Sequence, residues 1–222
     1  MLTEKPRKSP EIRDTLFGDM PLAEWPGQDR ANSAAEPWLW FVQARNHLDA
    51  GDQSSAIAML EKITGTPGLE ARHYLQAWHF LRQLGAAPPE ELARIIYGVV
   101  VEVGMEQGLD IVAAYTDHTA RYLNYTGAGI IWEAADESLN PLIDDVLRAG
   151  QTVVYQIGPW EGVRPAAPAN GQVRLNLLTP SGLHFGQGAF ETLANDPRGG
   201  PIITAATRLM QALIDKDKSA RA

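Results

Sequence analysis

The chain of 222 residues contains no cysteine. That excludes a disulfide framework, a thiolate metal site and a cysteine nucleophile, and it fits a reducing cytoplasm. No lysine lies between Lys62 and Lys216. A GxxxxGK[ST] phosphate loop is therefore excluded over that stretch, and no GxGxxG follows a strand-like run. Ser54, Ser55, Ser138 and Ser181 all lack a GxSxG elbow. Long apolar runs are missing as well: the longest, near Ile95–Val101, falls far short of the ~20 residues of a membrane span. The opening MLTEKPRKSPEIRDTLFGD has Lys and Arg without an apolar stretch behind them, so it does not read as a secretory signal. A basic face is also wanting. The net charge is −8, from 27 acids and 19 bases, with −2 on residues 1–36, zero on 37–88 and −6 on 89–222. Phosphate neutralisation has no cluster to work with, so neither nucleic acid nor an anionic membrane surface is expected as a partner. The expected location is cytoplasmic.

What is present falls into three sections. Residues 1–36 form a Pro-rich tail or packing arm, in which Pro6, Pro10, Pro21 and Pro26 prevent a long helix. Within it LFGDMPLAEW carries Leu16, Phe17, Met20, Leu22 and Trp25. That is too apolar for a plain linker: it either packs on the protein's own core or docks on another protein. Residues 37–88 read as a helical hairpin. Trp40, Phe41, Ala44, Leu48, Ala56, Ile57, Leu60 and Ile63 fall at helical spacing. Gly51–Asp52 between them supplies a C-cap and an N-terminal acid, and LEARHYLQAWHFLRQLG continues the pattern.

Residues 89–222 read as an α+β domain. YGVVVEVGME, LDIVAAYTD, ARYLNYTG and GIIWE are short runs rich in Val, Ile and Tyr, separated by QG, DHT and TGAG turns. A helix over SLNPLIDDVLRAG is expected to start near Ser138 and Pro141 and to stop at Gly150. Strands are expected in TVVYQIG, QVRLNLLT and GLHFGQG, and an amphipathic helix in PIITAATRLMQALIDK. Connections this short favour an antiparallel sheet with helices packed on it. The fold class expected for the whole chain is α+β, with the helical hairpin first.

Gly85 follows Gly51 by 34 residues. With Trp40, Ala44, Gly51, Asp52, Ala56, Ile57 and Leu60, residues 37–86 resemble a tetratricopeptide-like helical hairpin, a type of element often used to bind peptides. The C-terminal part is similar, at the level of fold only, to profilin and roadblock-type α+β domains. Roadblock-like sheets often pair edge to edge, which implies self-association.

The chemistry-bearing residues have structural readings close at hand. Asp117–His118 sits in a compact TDHT turn, where Asp bonds its own backbone and His tolerates an unusual φ; no nucleophile or orienting group stands beside it. His73 and His79 are six apart and do not share a helical face as a zinc pair would, and His47 and His184 have no ligand-like spacing. Asp144 and Asp145 point apart on a helix, while Glu133, Asp136 and Glu137 gather where a helix dipole favours acids. No cofactor, metal or catalytic residue is therefore expected. The long connector Gly158–Gly171 stands out, because long loops in compact domains are often functional. Its Trp160, Glu161 and Arg164, with Phe17 and Trp25 of the arm, are the expected interaction residues, Trp and Arg being favoured interface anchors. The expected function is a non-enzymatic, adaptor-type interaction with another protein or with a second copy. The alternative is a small-molecule pocket lined by Tyr115, Tyr122, Tyr125, Trp132 and Tyr155.

Overall fold

The computed structural model describes residues 12–27, 30 and 32–221; the first part of the arm, with Pro6 and Pro10, lies outside them. Among the described residues of the arm, short 3-10 turns form at Ile12–Leu16 and Leu22–Glu24. Three helices follow: α1 (Trp38–Asp49), α2 (Gln53–Gly65) and α3 (Ala71–Gln83). Gly51, with φ +78°, takes the left-handed conformation that ends α1. Asp52 then caps α2, its carboxylate accepting the Ser55 amide at 3.1 Å. The apolar stripes of the three helices meet in a cluster of Trp40, Phe41, Ala44, Leu60, Ile63, Ala77, Phe80 and Leu81.

After a single turn, α4 (Glu90–Ala93), the chain enters β1 (Gly98–Met105), β2 (Gly108–Tyr115), β3 (Ala120–Leu123) and β4 (Gly129–Trp132). Helix α5 (Asn140–Val154) leads to β5 (Gln172–Thr179) and β6 (Gly182–Ala189), then to α6 (Phe190–Ala194) and α7 (Gly199–Arg221). The six strands form one sheet in the order β4-β3-β2-β1-β5-β6, and each adjacent pair is antiparallel. The protein is therefore α+β. No helix among the described residues is long and apolar enough to cross a membrane.

Period-two alternation gives the sheet two different faces. Val99, Val101, Val112, Leu175 and Leu177 pack with Ile143, Val146, Ile202 and Leu209 of α5 and α7 in the main core. Val100, Ile111, Ala113 and Tyr115 look the other way and pack under Leu16 and Phe17 of the arm and Ala71 and Leu75 of α3. Helices thus cover both faces, and α3 belongs to two clusters at once.

TVVYQIG, expected to be a strand, is instead the end of α5 and the turn after it. Ile143, Val146, Leu147, Gly150, Val153 and Val154 are all buried, a run of helical spacings that passes through Gly150 without a break. Gly150 does not stop the helix because it serves contact: a Cβ there would come within 2.7 Å of Ile96 and 2.8 Å of Val99. Burial of the Val pair against the sheet prevails over its strand preference.

Candidate functional site

A cleft of about 760 Å³ opens on the arm side of the sheet, lined by the arm from Arg13 to Asp19, by Leu75, His79 and Arg82 of α3, by the connector at Trp160–Ala166 and by the β5–β6 turn. The connector reaches it because its backbone is tied down at both ends. The Trp160 amide donates to the Leu183 carbonyl at 2.6 Å, and the Gly171 amide to Gly104 at 2.9 Å. Gly104 has no room for a side chain against the carbonyl of Ala169. Trp160 donates through Nε1 to Val163 O at 3.1 Å, and its ring meets Phe185 at 5.3 Å. Even so, Trp160 is 49% exposed and Val163 91%.

Arg164 holds the connector to the arm. Its Nε donates to Asp19 at 2.7 Å and its Nη2 to Asp14 at 2.9 Å, and its guanidinium lies 4.1 Å from the centre of the Phe17 ring. Burial opposes this charge, but the hydrogen bonds and charges of Asp19 and Asp14 outweigh it and raise the Arg164 pKa above the ordinary guanidinium value. Beneath the arm lies the fully buried carboxylate of Glu102 on β1, which accepts from Arg13 Nε at 2.5 Å and from Asn176 Nδ2 at 3.1 Å. Arg174 stands 3.7 Å from it and donates to Gln187 at 2.8 Å and Pro165 O at 3.1 Å. A buried charge is tolerable only when paired and hydrogen-bonded in this way.

Arg82 differs. Its Nη1 donates to the Pro180 carbonyl at 2.5 Å. Among the described residues no carboxylate lies within ion-pair distance of it. Burial lowers its pKa to about 10, and the charge of Asp19 offsets only part of that shift. His79, one turn earlier, is lowered as well, by burial first and then by the Arg82 charge, so it is neutral at pH 7.

Of the expected interaction residues, Phe17, Trp160, Glu161 and Arg164 therefore line one cleft although they come from opposite ends of the chain. Phe17 is buried in its wall, and Trp160 stands exposed. Trp25 lies elsewhere, against Trp38 at 5.4 Å and Phe41 at 5.7 Å in the helical cluster. Arg13, Asp14, Asp19 and Arg82 were not legible as site residues, since nothing local marks a charge whose partner is distant in sequence.

Asp117 and His118 occupy a turn, with His118 at φ +59°. They face different elements: Asp117 Oδ2 accepts the Ala71 amide of α3 at 2.7 Å, and His118 Nε2 lies 3.1 Å from Asp144 of α5. The turn ties a helix to each face of the sheet. His184, fully buried, has Nδ1 at 3.2 Å from the Ile157 carbonyl and Nε2 at 3.2 Å from Ser181 Oγ. A carbonyl can only accept, so Nδ1 carries the proton and Nε2 is left to accept from Ser181. Burial lowers the His184 pKa, and the hydroxyl satisfies a neutral imidazole. Tyr115 is buried, with its hydroxyl donating to Leu16 O at 2.6 Å, whereas Tyr125 and Tyr155 are exposed. Among the described residues no group of three or more His, Cys, Asp or Glu could hold a metal ion. Comparison with protein-family models, with curated proteins and with solved structures gives no match.

Proposed function

We propose that the protein is a non-enzymatic binding module that engages a protein partner at this cleft. The observation that carries the reading is the presentation of Trp160 and Val163. Both stand exposed on a connector whose base is fixed by Arg164 to Asp14 and Asp19. A large apolar side chain held out on a rigid base loses little conformational freedom on binding, which is what an interface anchor requires. The ion pairs beneath it are occupied in structural work, so the chemistry left at the surface is apolar contact flanked by polar groups.

Affinity purification with the full-length chain, run beside Trp160→Ala and Val163→Asp, tests this. A stoichiometric partner that survives washing and is lost from both variants is expected. A partner retained by both would move the interaction away from the cleft. A tightly bound small molecule with no protein would favour a ligand-binding domain instead.

A further inference from the structure

We infer that the cleft selects an acidic segment of its partner: Arg82 receives a carboxylate, and Trp160 and Val163 take the apolar residues beside it. This rests on the cleft being a protein-binding site. The guanidinium of Arg82 carries five N–H donors. Its hydrogen bond to Pro180 O uses a single nitrogen, Nη1, on the side of the β5–β6 turn. The groups around it leave its charge unanswered. Asp19, the acid whose field reaches it, is taken up by Arg164 through both carboxylate oxygens, at 2.7 and 3.3 Å. Asp14 is likewise held by Arg164, at 2.9 Å, and Glu161, the third acid on the cleft, is exposed and forms no ion pair with Arg82. His79 is a neutral neighbour, and Leu75, Gln83 and Ser181 bring no charge.

A cation near a helix C-terminus is favoured by the helix dipole, and the bond to Pro180 joins α3 to the hairpin. Neither role calls for a guanidinium drawn out of water without an acid, and a partly desolvated charge facing a cleft marks a ligand site. Arg13, which also lines the cleft, has its charge answered by Glu102.

The volume and the walls favour a peptide over a free anion. About 760 Å³ is far more than one carboxylate or phosphate fills, and Trp160, Val163 and Leu183 offer apolar contact along it. A polyanion fits poorly, because Asp14, Asp19, Glu102 and Glu161 balance the arginines around the cleft and the chain as a whole carries −8.

The test is selection from a phage-displayed library of random linear peptides on the full-length protein, with a Trp160→Ala/Val163→Asp double variant for counter-selection. Selected peptides are then made with each acid and with its amide, and binding is read by fluorescence anisotropy. We expect an Asp or Glu beside an aromatic or aliphatic residue. Replacing that acid by its amide, or Arg82 by Gln, should weaken binding by about tenfold or more, and the two changes together should cost little more than either alone. Arg82→Lys should fall between. Arg82→Gln also gives up the bond to Pro180 O, so its folding is checked by urea denaturation before binding is compared, and the acid-to-amide change in the peptide reads the same contact on the unaltered protein. Cleft-dependent peptides that lack an acid, or that bind Arg82→Gln equally well, would overturn the inference and leave the cleft as a protein-binding site. If no peptide is selected over the double variant, both readings fail. Arg82-dependent thermal stabilisation by acetate or inorganic phosphate in that case would make the cleft a small-anion site.

Discussion

Single side chains in this protein join segments that are far apart in the chain. Glu70, the N-cap residue of helix α3, supplies no side-chain cap. Asp117, 46 residues away, supplies it through the Ala71 amide and also accepts from the Thr119 amide at 3.0 Å. Asp117→Ala should therefore lower the unfolding free energy by about 1–2 kcal/mol, as measured by urea denaturation, because it removes a helix cap and a turn together. Ser181 distinguishes a structural from a catalytic role for its neighbour. Ser181→Ala leaves the buried Nε2 of His184 without its donor and should cost about 1–3 kcal/mol in urea denaturation. Unaltered stability with loss of an assayed activity would instead make Ser181 a nucleophile.

At the scale of elements, the arm and the connector form one unit. Arg164 and Arg13 fasten the arm to the connector and the sheet, and Gln76 of α3 bonds both the amide and the carbonyl of Met20, at 3.1 and 2.9 Å. Asp14 and Asp19 are partly exposed, so the Arg164 pairs stabilise the arm by about 1 kcal/mol. Arg164→Ala should raise the rate of limited proteolysis within residues 12–20 about fivefold under conditions where the arm opens and recloses rapidly. An unchanged rate would place the anchorage of the arm elsewhere.

Much of this scale is legible in the sequence. The 3.6-residue spacing of Trp40 to Ile63 marks helices, Gly51–Asp52 marks their junction, and the DHT and TGAG turns fix antiparallel neighbours. The end of α5 is not legible, because Thr152, Val153 and Val154 carry strand preference and only the packing against Val99 and Leu177 decides. The connector announces itself by its length, its prolines and its Trp. The acids that hold Arg164 do not, lying 145 and 150 residues away in a segment that reads as a tail.

For the molecule as a whole, the buried His73 and His184 and the half-buried His79 set a pH response. Burial lowers the pKa values of His73, His79 and His184 below the ordinary 6.5. Between those folded values and 6.5 the unfolded chain binds more protons, so stability falls as the pH drops through that window. Midpoints of urea unfolding should decline from pH 7 to pH 5, and His184→Gln, which has no proton to take up there, should decline less steeply.

In the proposed function, the cleft side of the molecule is where it meets a partner. Photocrosslinking in cells tests it most directly, with a benzophenone amino acid placed at Val163 on the connector and, separately, at the exposed Arg208 of α7. One discrete protein adduct is expected from position 163 that disappears when Trp160→Ala is added, and none from position 208. A partner captured from 208 but not from 163, or capture at 163 that ignores Trp160, would contradict it.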